Sequence, residues 1–235
     1  MKVTLTECTI YPVMSVERAA SNCYDSEPSK SGKIMTACYK SGHHSVLEFA
    51  DFTFHIEGVS RALLAQITRH RVASFAVRSQ RYCSEDGFGY VTPNTIQDNA
   101  AACVEYKKTI NKIKECYEYL QELGVPNEDA RMILPNACET ILEVKMNGRE
   151  LIHFCNERLC SRAQWEIREL AQAMKKCVAD HNEECKKFSK FLVPKCYADQ
   201  KHPFCTEHSS CGMAPKLEDV YHAYLESKGL ALKHE

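Results

Sequence analysis

FADFTFHIEGVSRALLAQITRHR, residues 49–71, holds two periodicities in one run. From 49 to 57, Phe52, Phe54 and Ile56 alternate with Asp51, Thr53, His55 and Glu57. Strand side chains point to opposite faces in turn, so the pattern predicts a half-buried β-strand. Gly58 is expected to end it, because glycine weakens a strand interior. Ser60 is then placed to cap a helix carrying Leu63, Leu64 and Ile67. That helix runs out on Arg69, His70 and Arg71, so the same stretch delivers a cluster of cations.

Outward from this stretch, residues 2–11 alternate well enough for a strand, and 15–24 and 30–41 suit short helices. A second strand is expected from Ser74 to Tyr82, then a long helix over 97–123. Within that helix Cys103, Tyr106, Ile110, Ile113, Tyr117 and Leu120 recur at alternating steps of three and four, a coiled-coil-like seam. Such a stripe suits packing on its own subunit or on a second copy. GVPN (124–127) closes the helix. A strand near 139–146, helices over 148–159 and 163–187, and a stop at Pro194 complete the main body. Strands mixed with helices, without regular βαβ alternation, predict an α+β class. Residues 1–195 are expected to form one domain and 196–235 a Cys/His-containing C-terminal extension.

The totals fit this picture. A chain of 235 residues, 44% apolar and 26% charged, can build a globular core. A net charge of −1 gives no overall basic field for nucleic acid or an anionic membrane. Apolar runs such as Ala62 to Ala65 are far too short to span a bilayer, and no secretory leader opens the sequence. The 14 cysteines are spread through helical and strand-like stretches, so they read as buried thiols of a reducing cytoplasm.

Chemistry concentrates between residues 43 and 81. Arg69, His70, Arg71, Arg78 and Arg81 form a local cationic patch, with Arg78 and Arg81 expected on the second strand. Cations near a helix C-terminus are favourable by about 0.3–1 kcal/mol each, which accounts for one or two of them. The full set, with Ser79 as a further donor, fits phosphate recognition, because guanidinium forks match phosphate oxygens. No glycine-rich phosphate loop is present, so side chains would do the holding. A second signal is Arg158, which shares a helical stripe with Leu151 and Cys155, beside Phe154. It is either an arginine snorkelling at a helix end or a cation facing an anionic or electron-rich ligand.

These residues resemble the signature of the flavin-dependent thymidylate synthases. RHRVASFAVRS (69–79) is Arg-His-Arg, seven residues, then Ser. GHHSVLEF (42–49), SRALLAQITRHR (60–71), SQRY (79–82), EDARMILP (128–135), MNGRELIHF (146–154) and ERLCSRAQWEIR (157–168) follow the family's blocks in order. The resemblance spans about residues 1–190. It implies a homotetramer of α+β subunits, built of helices and antiparallel strands around a long central helix, with active sites at subunit interfaces. It also implies a cytoplasmic enzyme that uses FAD, NADPH and 5,10-methylenetetrahydrofolate to methylate dUMP to dTMP, with no nucleic-acid or membrane partner.

Position by position, the resemblance places Ser45, Arg69, His70, Arg71, Asn147, Arg149 and His153 at flavin contacts. Gln66, Arg69, Arg78, Ser79, Gln80, Arg81 and Arg131 fall on dUMP contacts, Ser79 and Arg81 near its phosphate. Arg158 falls on the arginine that activates the uracil ring, and His43 and Glu48 on the element bordering the flavin. Ser79 is implied to bind substrate rather than attack it, and no cysteine falls on a nucleophile motif. The sequence departs from the pattern at Ala76 and Val77, where many members carry Asn-Glu.

The tail holds Cys196, His202, Cys205, His208 and Cys211, the residue types of a zinc site. Their irregular spacing lacks a Cys-x-x-Cys pair, so a Cys-rich extension with no assigned metal is the expectation. Helical character returns over 216–228. A non-catalytic nucleotide binder, favoured by the missing Asn-Glu pair, and a metal-dependent interaction module resting on the tail are the competing functional classes.

Overall fold

A computed structural model describes residues 1–23, 25–29, 31–198 and 203–229. In chain order the elements are β1 (Lys2–Cys8), α1 (Pro12–Asn22), α2 (Lys33–Lys40), a 3-10 turn (His44–Phe49), β2 (Asp51–Ser60), α3 (Arg61–Ile67) and β3 (Ala73–Val77). They continue with α4 (Asn94–Gln97), α5 (Ala100–Glu122), α6 (Asn127–Ala130), β4 (Glu139–Asn147), α7 (Gly148–Arg158), α8 (Trp165–His181), α9 (Glu183–Ser189) and α10 (Leu217–Ser227). The class is α+β, helices with an antiparallel sheet, as expected. Among the described residues no helix is long and apolar enough to cross a membrane. The chain divides into two compact units, Met1–Thr6 with Thr53–Lys145, and Glu7–Phe52 with Met146–Glu235.

The first unit carries most of a sheet of strand order β1-β2-β4-β3. Phe54 and Ile56 are fully buried on β2, and Leu142 and Val144 on β4. The Ser60 hydroxyl accepts from Leu63 N at 3.0 Å, capping α3 as the sequence predicts. Gly58 does not end β2. It takes a φ of +67°, a glycine conformation, and the strand continues to Ser60 with Val59 and Ser60 both buried.

The second expected strand is shorter than predicted, because β3 stops at Val77. Arg78 and Arg81 therefore do not lie on it. The Ser79 hydroxyl accepts from Arg81 N at 3.2 Å, and Cys83 N donates to Ser79 O at 3.0 Å. These local bonds offer the backbone an alternative to the ladder. On α5 the seam faces its own unit: Ile110 is buried with Phe88 and Cys138, and Tyr106 and Ile113 pack on that cluster. Its end is a Schellman motif, with Val125 N donating to Leu120 O, Gly124 N to Gln121 O, and Gly124 at φ +81°.

The second unit is helical. Its core combines Val16 and Ala20 of α1, Met35 of α2, Leu47, Leu151 and Phe154 of α7, Leu170 and Met174 of α8, and Phe188 of α9. Pro12 starts α1 three residues earlier than predicted, since its fixed φ suits the first helical turn. Glu17 is fully buried, its carboxylate accepting from Ser29 N at 2.8 Å and Met35 N at 2.9 Å. The helix predicted over 163–187 is two helices. Asn182 is extended between them and its side chain caps Cys185 N at 2.8 Å, so an internal cap splits the run.

Gly148 lets α7 begin directly against the 3-10 turn. A Cβ there would lie 2.7 Å from Leu47 O and 2.8 Å from the Phe188 ring, while Gly148 N donates to Ala50 O at 2.6 Å. Gly148→Ala is therefore expected to cost about 1–3 kcal/mol, the range for overpacking a core. Denaturant unfolding checks this, and an unchanged midpoint would show that the turn yields freely.

Candidate active site

In the first unit, α3 and the turn after β3 carry the predicted cations. Arg69 and Arg71 are exposed just past α3, His70 between them is buried, and Gln66 is half-buried on the helix. The turn 79–83 presents Ser79 half-buried, Gln80 buried with Nε2 3.7 Å from Cys138 Sγ, and Arg81 exposed. Arg81 Nε donates to Glu128 Oε2 at 2.6 Å, and Arg131 Nε donates to the Glu128 carbonyl at 3.1 Å. Two residues fifty positions apart in sequence thus converge on one acidic residue at the start of α6. The cluster of Ser79, Arg81 and Arg131 can present several N–H and O–H donors to one anion.

Sequence reasoning missed Glu128. Its visible signal was an acidic residue in a first helical turn, which dipole compensation explains equally well.

Arg78 stands apart from that cluster. Its Nε lies 3.3 Å from Glu85 Oε1, and Nη2 donates to Ser84 O at 3.1 Å. Ala76, Val77 and Arg78 line a shallow groove with His55 and Glu143, whose Nδ1 and Oε1 are 2.5 Å apart. The two positions that depart from the family pattern are thus bordered by an imidazole and a carboxylate from β2 and β4.

In the second unit the 3-10 turn and α7 bring together a second set. Ser45, His43 and Glu48 are exposed on or beside the turn. Arg149 Nη1 donates to Glu48 Oε1 at 2.7 Å, joining the first turn of α7 to it. The Asn147 side chain caps α7 by accepting from Glu150 N at 2.9 Å, and His153 is exposed one turn on. Arg158 is half-buried in the last turn, where Leu151, Phe154 and Cys155 are fully buried. It lines a cavity of about 250 Å³ shared with Asn156, Arg162 and Lys195.

No cysteine in either set is poised as a nucleophile. Burial pushes the Cys155 thiol up to about 12 and, with the nearby Glu85 carboxylate, the Cys138 thiol up to about 11. The cysteines among the described residues are free thiols, and Cys38, Cys138, Cys155, Cys185 and Cys205 are buried.

Residues 4–182 match the family described as "Thymidylate synthase complementing protein". The flavin-dependent thymidylate synthase of Geobacter sulfurreducens is 43% identical over 190 residues, 76% of this chain and 82% of that protein. The flavin-dependent thymidylate synthase of Clostridium tetani is 35% identical over 94% of this chain and 97% of that protein. Among solved structures, flavin-dependent thymidylate synthase ThyX from Helicobacter pylori, complexed with FAD and dUMP, superposes with a TM-score of 0.66. It is 24% identical and covers 82% of this chain and all of that one, a likeness of fold.

Proposed function

The chain belongs to the flavin-dependent thymidylate synthase family, and we propose from that membership that it makes dTMP from dUMP by FAD-dependent reductive methylation. The carbon donor is 5,10-methylenetetrahydrofolate and the reductant NADPH. Residues 1–195 form the synthase domain, 196–235 are an extension, and the enzyme works in the cytoplasm.

The observation that carries the substrate assignment is the convergence of Arg81 and Arg131 on Glu128, with Ser79 in the same turn. These donors hold the dUMP phosphate, while Gln66, Arg69, Arg78 and Gln80 contact the rest of the nucleotide. Arg158 faces the uracil ring, where a guanidinium stabilises negative charge and raises the nucleophilicity of C5. Glu128 keeps the Arg81 guanidinium oriented before the phosphate arrives. An exposed ion pair is worth only about 0–1 kcal/mol, so its displacement by a phosphate is cheap.

Ser45, Arg69, His70, Arg71, Asn147, Arg149 and His153 are the flavin-binding set. Several of them are exposed cations and donors, as the diphosphate of a dinucleotide requires. When bound, FAD supplies the reducing equivalents for the transferred carbon. Exposed Val104 and Tyr119 on α5, and Leu123 just past its end, support association into a homotetramer.

The protein is expected to purify with FAD or to take it up on titration. Bound flavin is read from its visible absorbance, with quenching or a band shift on addition to apoprotein. Neither bound flavin nor any spectral change would remove the flavin assignment and leave a nucleotide binder.

A further inference from the structure

The tail considered alone offers too few well-spaced ligands for a metal, but the fold adds a cysteine from the main body. Cys160, Cys196, Cys205 and Cys211 all line the cavity of about 250 Å³ beyond the end of α7. Cys160 lies in the turn after α7, Cys196 in the 3-10 turn Lys195–Tyr197 where the extension begins, and Cys205 and Cys211 further along the extension. We propose that these four thiols form a zinc site that fastens the C-terminal extension to the loop following α7.

Separate bonds hold the segments that carry the four cysteines around this cavity. Ala163 N donates to Cys160 O at 3.0 Å, turning the chain just past α7. Phe204 N donates to Cys196 O at 3.1 Å, joining the segment before Cys205 to the second cysteine. Cys205 pairs in a parallel bridge with Lys216, its N–H on Pro215 O at 2.7 Å. Tyr197 OH donates to Met213 O at 2.6 Å, and Cys211 is hydrogen-bonded to the Ser161 side chain beside Cys160.

Four thiols are the donor set of a thiophilic cation. Binding releases four thiol protons to solvent and leaves a net dianion on the zinc with its four thiolates. Arg162 and Lys195 on the same wall compensate that charge. Zinc is a soft-tolerant tetrahedral ion that accepts four thiolates at about 2.3 Å, so binding draws the four sulfurs in from the wall to a common centre.

The extension also lacks what would otherwise hold it. Among the described residues of 203–229, Cys205 and Ala214 are the buried apolar ones. A segment without a core of its own is commonly held by metal or disulfide staples. His208 is exposed, and His202 lies outside the described residues. The four-thiol set needs neither.

The test uses the full-length protein, expressed with added zinc and purified in a phosphine reductant without chelator. Metal analysis should give about one zinc per chain, released by a mercurial thiol reagent. Cys196→Ser and Cys205→Ser should each lower the zinc content roughly tenfold or more, whereas Cys23→Ser and Cys116→Ser, outside the cavity, should retain it. Reconstitution of wild-type protein with cobalt(II) should give intense thiolate-to-metal charge-transfer absorption, lost on prior alkylation. This second readout decides the matter if the serine variants fail to fold. Less than about a tenth of an equivalent of zinc with no charge-transfer band, full zinc retained by Cys196→Ser or Cys205→Ser, or iron in its place would each overturn the site.

Discussion

Arg158→Ala is expected to lower dTMP formation per bound flavin by on the order of 10²-fold or more at saturating dUMP, the effect of losing one preorganised electrostatic donor. The expectation starts from the position of the side chain. It leaves the last turn of α7 half-buried, beyond a fully buried stripe of Leu151, Phe154 and Cys155. A partly dehydrated guanidinium interacts more strongly with nearby charge than one in bulk water. If that charge grows on the uracil ring as C5 attacks, the interaction strengthens in the transition state and is felt in turnover. Arg158→Lys should recover little, since an ammonium is a point charge without the planar fork. The alternative is compensation of the helix C-terminus, worth about 0.3–1 kcal/mol. In that case the variant loses some thermal stability and keeps near wild-type turnover per loaded site, which would take Arg158 off the catalytic list.

The second large effect concerns Arg81. Arg81→Ala should weaken dUMP binding by roughly 1.5–3 kcal/mol, about 10- to 150-fold, the value of a charge-assisted hydrogen bond to phosphate. Flavin binding should change much less. The geometry makes the comparison sharp, because Arg81 is tied to Glu128 beside Arg131 rather than to Arg69 or Arg71. Calorimetric titration of each ligand separates the two outcomes. Equal losses for dUMP and FAD would reassign the guanidinium to the flavin diphosphate.

Where local rules and tertiary packing agreed, the sequence was readable. The alternation of Phe52, Phe54 and Ile56, the Ser60 cap and the glycine end of α5 all appear where expected. Each is decided within a few residues by side-chain period or backbone conformation. The end of β3 at Val77 and the break at Asn182 were not readable. There a Ser or Asn side chain competes for backbone N–H groups, a local contact that side-chain period does not reveal.

The cationic patch was visible as composition, but its partners were not. Glu128 reaches Arg81 across 47 positions, and Glu48 reaches Arg149 across 101. No spacing rule encodes contacts at that separation. The same limit hid Cys160 from a reading of the tail, because its proximity to Cys196, Cys205 and Cys211 arises only when the extension folds back. The family blocks indicated the chemistry because each block carries its own ligand-facing residues. Local physics alone left phosphate binding and dipole compensation both open for Arg69 to Arg81.

The most direct measurement is dTMP formation by flavin-stripped protein supplied with dUMP, 5,10-methylenetetrahydrofolate and NADPH, with and without added FAD. Turnover should appear only with FAD and should rise with flavin occupancy until each site is loaded. Formation of dTMP at the same rate without flavin, or none from fully flavin-loaded protein, would contradict a flavin-dependent synthase.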